Sequence, residues 1–113
     1  MQLAKIYEQA LTAAGHTVEI VAHAQDAIHA ADAKIPDLII MELSLVNHGG
    51  VEFLHELRSY TEWQHIPVVV LTMVSPRRLA DSKKQLNMLG VSAYLYKPAT
   101  SLERLVTVVA DLL

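Results

Sequence analysis

The chain has no cysteine, which excludes a disulfide framework and any thiolate metal site. Glycine and proline are scarce, four of each in 113 residues, so there is no room for a low-complexity linker between two domains. Aromatic residues make up only 5%. The longest apolar runs are four or five residues, such as Leu38 to Met41 and Val68 to Leu71, against about 20 for a membrane span. A secretory start is also missing. Those absences lead to the expectation of a soluble, cytoplasmic protein with no membrane partner. Basic residues do not dominate either: nine Lys plus Arg stand against twelve Asp plus Glu, for a net charge of −3. Direct nucleic-acid binding needs a basic face and is not expected.

What remains is a globular composition, 52% hydrophobic and 19% charged, in a length that suits one domain over residues 1–113. Helix and strand signals alternate. Leu3, Ile6, Tyr7, Ala10, Leu11 and Ala14 recur at helical spacing, and Gly15 follows as a stop. Thr17 to Ala22 is β-branched and predicts a strand. Gln25 to Lys34 is Ala-rich and helical, and Pro36 blocks its continuation. Leu38 to Met41 reads as a strand covered on both faces. Val51 to Tyr60 is helical. Pro67 to Leu71 is a buried strand, and Pro76 to about Leu89 is a helix capped by Gly90. Ser92 to Tyr96 is a strand, and Ser101 opens the last helix, with Leu102, Leu105, Val106, Val109 and Leu113 as its apolar stripe. Such alternation, with right-handed crossovers, predicts an α/β, doubly wound parallel sheet with helices on both faces.

Chemistry in such sheets collects at the carboxyl ends of the strands. Here that pole carries His23, Glu42 to Ser44, Thr72 to Ser75, and Lys97 with Pro98. Glu42, Thr72 and Lys97 supply an acid, a hydroxyl and an amine at adjacent strand ends, a set able to sense one negatively charged group. Spacing alone leaves equal weight for three unrelated polar residues at strand ends. Six histidines (His16, His23, His29, His48, His55, His65) lack the pairing of a metal site and read as surface or turn residues. Gly49 and Gly50 lack a phosphate-loop context and read as a tight turn before a helix. Met73 and Met88 read as filler. Arg77, Arg78, Lys83 and Lys84 form a basic cluster, either a solvated face or a docking surface for an acidic partner. Trp63 is expected to be a partly exposed loop anchor.

With these residues in place, the sequence resembles the receiver domain of two-component response regulators over essentially its whole length. The resemblance rests on DLIIMELSL (37–45), GVEFL (50–54), IPVVVLT (66–72) and AYLYKP (93–98) taken together. It implies the flavodoxin-like strand order 2-1-3-4-5, phosphotransfer from a histidine kinase to an aspartate, and Mg2+ held by carboxylates. It makes Thr72 the switch hydroxyl, Lys97 the phosphate-binding amine, Tyr94 the rotating aromatic, and Lys97–Pro98 a cis bond.

Two departures shape the expected function. Glu42 stands where the family carries its acceptor aspartate. Its extra methylene carries the carboxylate roughly 1.5 Å further out, toward where phosphoryl oxygens would lie. It has about one negative charge against about 1.5 to 2 for a phosphoryl group, so it is a partial mimic, expected to pair with Lys97 and to accept no phosphate. The family's first strand, with the acidic pair that holds Mg2+, is also missing: only Met1 and Gln2 precede the first helix. The chain is therefore expected to be truncated relative to the family, without Mg2+ or any other cofactor, its open sheet filled by a rearrangement or a second copy. A third departure is three extra residues between Thr72 and Lys97, around MVSPRRLADSKKQ. The resulting expectation is a pseudo-receiver, not an enzyme, acting in two-component signalling or a phosphorelay by binding a protein: a histidine kinase, an output domain or a second copy in a homodimer. The rival readings are a small flavodoxin-like nucleotide- or flavin-binding protein and a structural assembly subunit.

Overall fold

The structure is a computed structural model that describes residues 3–42 and 49–113. Leu43, Ser44 and His48 lie outside the described residues, so their expected places are not considered further. Its strands are β1 (Ile39–Met41), β2 (Val68–Thr72) and β3 (Val91–Tyr96). Its α-helices are α1 (Leu3–Ala13), α2 (Ala24–Ala33), α3 (Gly49–Ser59), α4 (Pro76–Met88) and α5 (Leu102–Leu112). Two 3-10 turns that periodicity did not foretell, Thr61–Trp63 and Lys97–Ala99, complete the described elements. Among those elements no helix is long and apolar enough to cross a membrane.

The sheet is parallel in the order β1-β2-β3, as α/β crossovers require. Side-chain alternation divides the core into two layers. Ile39, Met41, Val68 and Val70 face α2, α3 and α4, packing with Ile28, Leu54, Leu57, Leu79 and Leu86. Leu38, Ile40, Val69 and Leu71 face α1 and α5, packing with Leu11, Leu105, Val108 and Val109. Both faces of β2 are covered, which is why VVVLT can be uninterrupted and fully buried. In β3 the register slips by one residue between Val68 and Val69, whose partners are Val91 and Ala93. This bulge at Ser92 resets the alternation, so Tyr94 points to the α4 layer and Leu95 to the α5 layer.

Helix ends follow local chemistry. The Ser75 and Ser101 hydroxyls accept from the Arg78 and Arg104 amides to cap α4 and α5. Gly15 and Gly90 take positive φ after α1 and α4, the left-handed exit that glycine adopts without Cβ strain.

Two expectations are corrected. Residues 17–22 form no strand. Their β-branched composition is suited to a ladder, but β1 pairs with β2 alone and no backbone hydrogen bond joins 17–22 to it among the described residues. Propensity without a partner strand does not make a strand. Trp63 is not partly exposed: it is 3% exposed, packed in the α2–α3–α4 layer with its ring 4.6 Å from Tyr60, because a large indole gains most by leaving water.

Candidate functional site

The carboxyl pole of the sheet gathers one residue from each strand. Glu42 directly follows β1, Thr72 ends β2, and Lys97 directly follows β3. Register places Thr72 opposite Tyr96, one residue from Lys97. From positions 55 residues apart in sequence, the Lys97 ammonium (Nζ) donates to Glu42 Oε1 and forms an ion pair with it. The pair is asymmetric: the Lys97 side chain is 7% exposed and that of Glu42 71%. Burial lowers the Lys97 pKa from its ordinary value, and the carboxylate supplies the counter-charge that an ammonium in this position needs. Solvent screening on the Glu42 side limits the pair itself to roughly 1 kcal/mol or less.

The backbone around Lys97 is held by the turn that follows β3. The Thr100 amide donates to the Lys97 carbonyl at 3.2 Å, and the Thr100 hydroxyl donates to the Tyr96 carbonyl at 2.7 Å. Pro98 sits in the first turn of this 3-10 segment, a position that needs no amide hydrogen. The Lys97–Pro98 bond is trans, and no cis peptide occurs among the described residues. This corrects the expected cis-Pro98: a 3-10 turn with a trans proline already aims Lys97 at Glu42.

Thr72 is buried, and its hydroxyl accepts from the Val74 amide at 3.0 Å, fixing the first step of the loop into α4. Tyr94 is half-buried against the same layer, its hydroxyl donating to Asn87 Oδ1 of α4 at 2.6 Å. Lys83 of α4 stands over its ring, 5.4 Å from the centroid. The segment between Thr72 and Lys97, where the extra length was expected, is a three-residue loop, the 13-residue α4, the pair Leu89 and Gly90, and β3. His23 is exposed at the N-cap of α2 without a side-chain cap bond. Among the described residues no three His, Cys, Asp or Glu side chains come together as a metal site.

Sequence reasoning missed three neighbours. Tyr7 of α1 lies under Lys97, 6.0 Å from ring centroid to Nζ. Asn87 and Lys83 bracket Tyr94. Tyr7 stood in the apolar stripe of α1, so its spacing marked it as core, and only the packing of α1 beside β3 and α5 brings it to the amine.

Burial also raises the Tyr94 pKa above its ordinary value. For an acid that is neutral when protonated, a raised folded pKa adds stability at low pH and loses it as pH climbs through that value. Ultraviolet titration is expected to show a phenol ionising above the ordinary tyrosine range, and Tyr94→Phe should delete that late component. Loss of amplitude from the ordinary tyrosine range instead would mean that Tyr94 is solvated.

The resemblance implies Mg2+, which the side-chain donors described at this pole would have to hold. They comprise one carboxylate already engaged by an ammonium, one hydroxyl and one amine. Mg2+ requires an oxygen-rich octahedral set, which these residues do not supply.

A family model described as the response regulator receiver domain matches residues 1–110. The chain is 27% identical over 94 residues to the polar-differentiation response regulator DivK of Brucella anthropi, covering 83% of this chain and 74% of that protein. Among solved structures it is similar to the Vibrio cholerae chemotaxis protein CheY4, with TM-score 0.83 and 24% identity over 99% of this chain and 92% of the other. It is also similar to the phosphorylated cyanobacterial phytochrome response regulator RcpA, with TM-score 0.71 and 28% identity over 96% and 81%.

Proposed function

This chain belongs to the response regulator receiver domain family, and from that premise we propose that it is a two-component signalling module which works by binding a protein in a fixed state and takes up no phosphate. The observation that carries the reading is the Lys97–Glu42 ion pair. In a receiver, the amine after the last strand answers the charge of a phosphorylated side chain. Here a carboxylate built into the sequence, one methylene longer than aspartate, already occupies that amine. The mimic is partial, with about one charge in place of 1.5 to 2. Thr72 and Tyr94 lie on the α4 side of the sheet, where Thr72 bonds the Val74 amide and Tyr94 bonds Asn87 of α4.

Receiver domains interact with kinases and output domains. For this chain, the proposed working face is α4, β3 and α5. The α4 helix carries Arg77, Arg78, Lys83 and Lys84 against one acid, Asp81, on a chain whose net charge is −3. All four cations are exposed, as are Met88 at the end of α4 and Leu102 at the start of α5. An acidic protein surface with an apolar centre matches that face.

The reading is tested by incubating the protein with acetyl phosphate and a divalent cation and measuring intact mass. The expected result is no phosphoryl gain, in the native protein and in Glu42→Gln alike. A stable gain in the native protein that Glu42→Gln abolishes would overturn the proposal, since Glu42 would then be an acceptor.

A further inference from the structure

Lys83 and Asn87 lie four residues apart on α4 and so share one side of the helix. Leu79 and Leu86 of the same helix are buried in the core, which fixes the roll of α4 and leaves Lys83 and Asn87 exposed at its border. Across from them stands Tyr94, turned to this layer by the bulge at Ser92 in β3.

Tyr94 meets α4 at two points. Its hydroxyl donates to Asn87 Oδ1 at 2.6 Å, and the Lys83 ammonium stands over its ring, 5.4 Å from the centroid. The two contacts restrain different freedoms. A hydrogen bond fixes where the phenol tip lies, and a cation above the ring fixes which way the plane is turned. Packing alone does not enclose the side chain, because Tyr94 is only half-buried.

We propose that Lys83 and Asn87 are positioning residues that clamp Tyr94 in a single rotamer, and so hold the α4–β3 part of the docking face in one shape independently of the charge at Glu42. The resemblance makes Tyr94 a rotating aromatic; in this chain the clamp removes that rotation. With the phenol hydroxyl engaged by Asn87 and the ring capped, this patch offers a partner the outer side of the Lys83 ammonium, which selects a carboxylate. The clamp deepens the fixed-state reading above and rests on it only in taking this face as the one that docks.

Nuclear magnetic resonance of the chain with isotope-labelled tyrosine tests the clamp, the Tyr94 signals being those that Tyr94→Phe removes. Three-bond couplings between Hα and the two Hβ protons report the rotamer populations. In the native chain one rotamer is expected to outweigh the others about tenfold or more, a difference of about 1.4 kcal/mol. In the double variant Lys83→Met with Asn87→Ala, the couplings should average, the leading rotamer exceeding the next by about threefold at most. Both positions are exposed and both replacements favour helix, so the helical circular dichroism should be retained. Each single variant should lower the preference in part, and these two decide should the pair fail to fold. Lys83→Arg keeps a cation over the ring and should keep the native rotamer. Averaged couplings in the native chain overturn the inference. A single rotamer that persists in the double variant overturns it as well, since burial alone would then hold the ring, and so does a freed ring in Lys83→Arg. A phosphoryl gain at Glu42 would sink the reading above and leave these couplings unchanged, so the two failures are told apart.

Discussion

Arg58→Met is expected to lower the unfolding free energy by roughly 3 kcal/mol, the sum of several lost charge-assisted bonds discounted for partial exposure. The Arg58 guanidinium donates from Nε to the Leu89 carbonyl at 2.8 Å, from Nη1 to that of Trp63 at 2.8 Å, and from Nη2 to those of Ile66 at 2.8 Å and Gly90 at 3.1 Å. These carbonyls lie at the end of α4, the end of the Thr61–Trp63 turn and the approach to β2. One side chain thus ties together three junctions on the amino side of the sheet. Desolvation lowers its pKa from the usual arginine value, but a guanidinium stays charged at neutral pH. Two of the acceptors sit where α4 leaves its last carbonyls, where a cation is favoured by the helix dipole.

The planar fork matters as much as the charge. A lysine has one nitrogen and cannot reach three separate junctions, so Arg58→Lys is expected to recover less than half of the loss. Gly90 shares this constraint: a Cβ there would lie 3.1 Å from the Arg58 Nη2, at a φ of +78. Denaturant titration checks both variants. A loss below about 1 kcal/mol for Arg58→Met would mean that water replaces the guanidinium without cost.

The second large effect is expected from the two core layers. Leu57 and Leu105 are fully buried on opposite faces of the sheet. Truncation of either to alanine should cost about 3 kcal/mol, within the usual range of about 2 to 5 for a buried leucine. Against the 5–15 kcal/mol typical of whole domains, either loss is a large fraction. Because β2 lies between the layers, the double variant tests whether they are independent. Their effects should add within about 0.5 kcal/mol. An excess well beyond that would show that the faces collapse together. Denaturation midpoints of the two single variants and the double variant, with the slope held constant, provide the measurement.

The elements with their own local signals were legible in the sequence. The apolar stripes of α1, α3 and α5, the Pro76 start of α4, and glycine exits at Gly15 and Gly90 are short-range features, and the helices lie where they predict. The runs at 38–41 and 67–71 became strands because each found a parallel neighbour. Residues 17–22 had the same composition and did not, since strand formation is settled by a ladder partner outside the segment. Trp63 failed for a related reason. Its neighbours TEWQHIP are loop-like, and burial depended on α2 and α3 closing over it.

At the candidate site, Glu42, Thr72, Lys97 and Tyr94 were recognisable from motif and resemblance. The bracketing of Tyr94 by Asn87 and Lys83 was not, and neither was the trans geometry before Pro98.

By itself the sequence determined the alternation of helix and strand and the polar residues at the strand ends, because those follow from residue type and spacing along the chain; the acceptor position of Glu42 is what the resemblance implies. Tertiary structure alone decided that Tyr7 lies under Lys97, that Arg58 bonds four carbonyls at three junctions, and that 17–22 is left without a ladder. Contacts between residues far apart in the chain depend on how strands register and helices pack, and no local pattern encodes that.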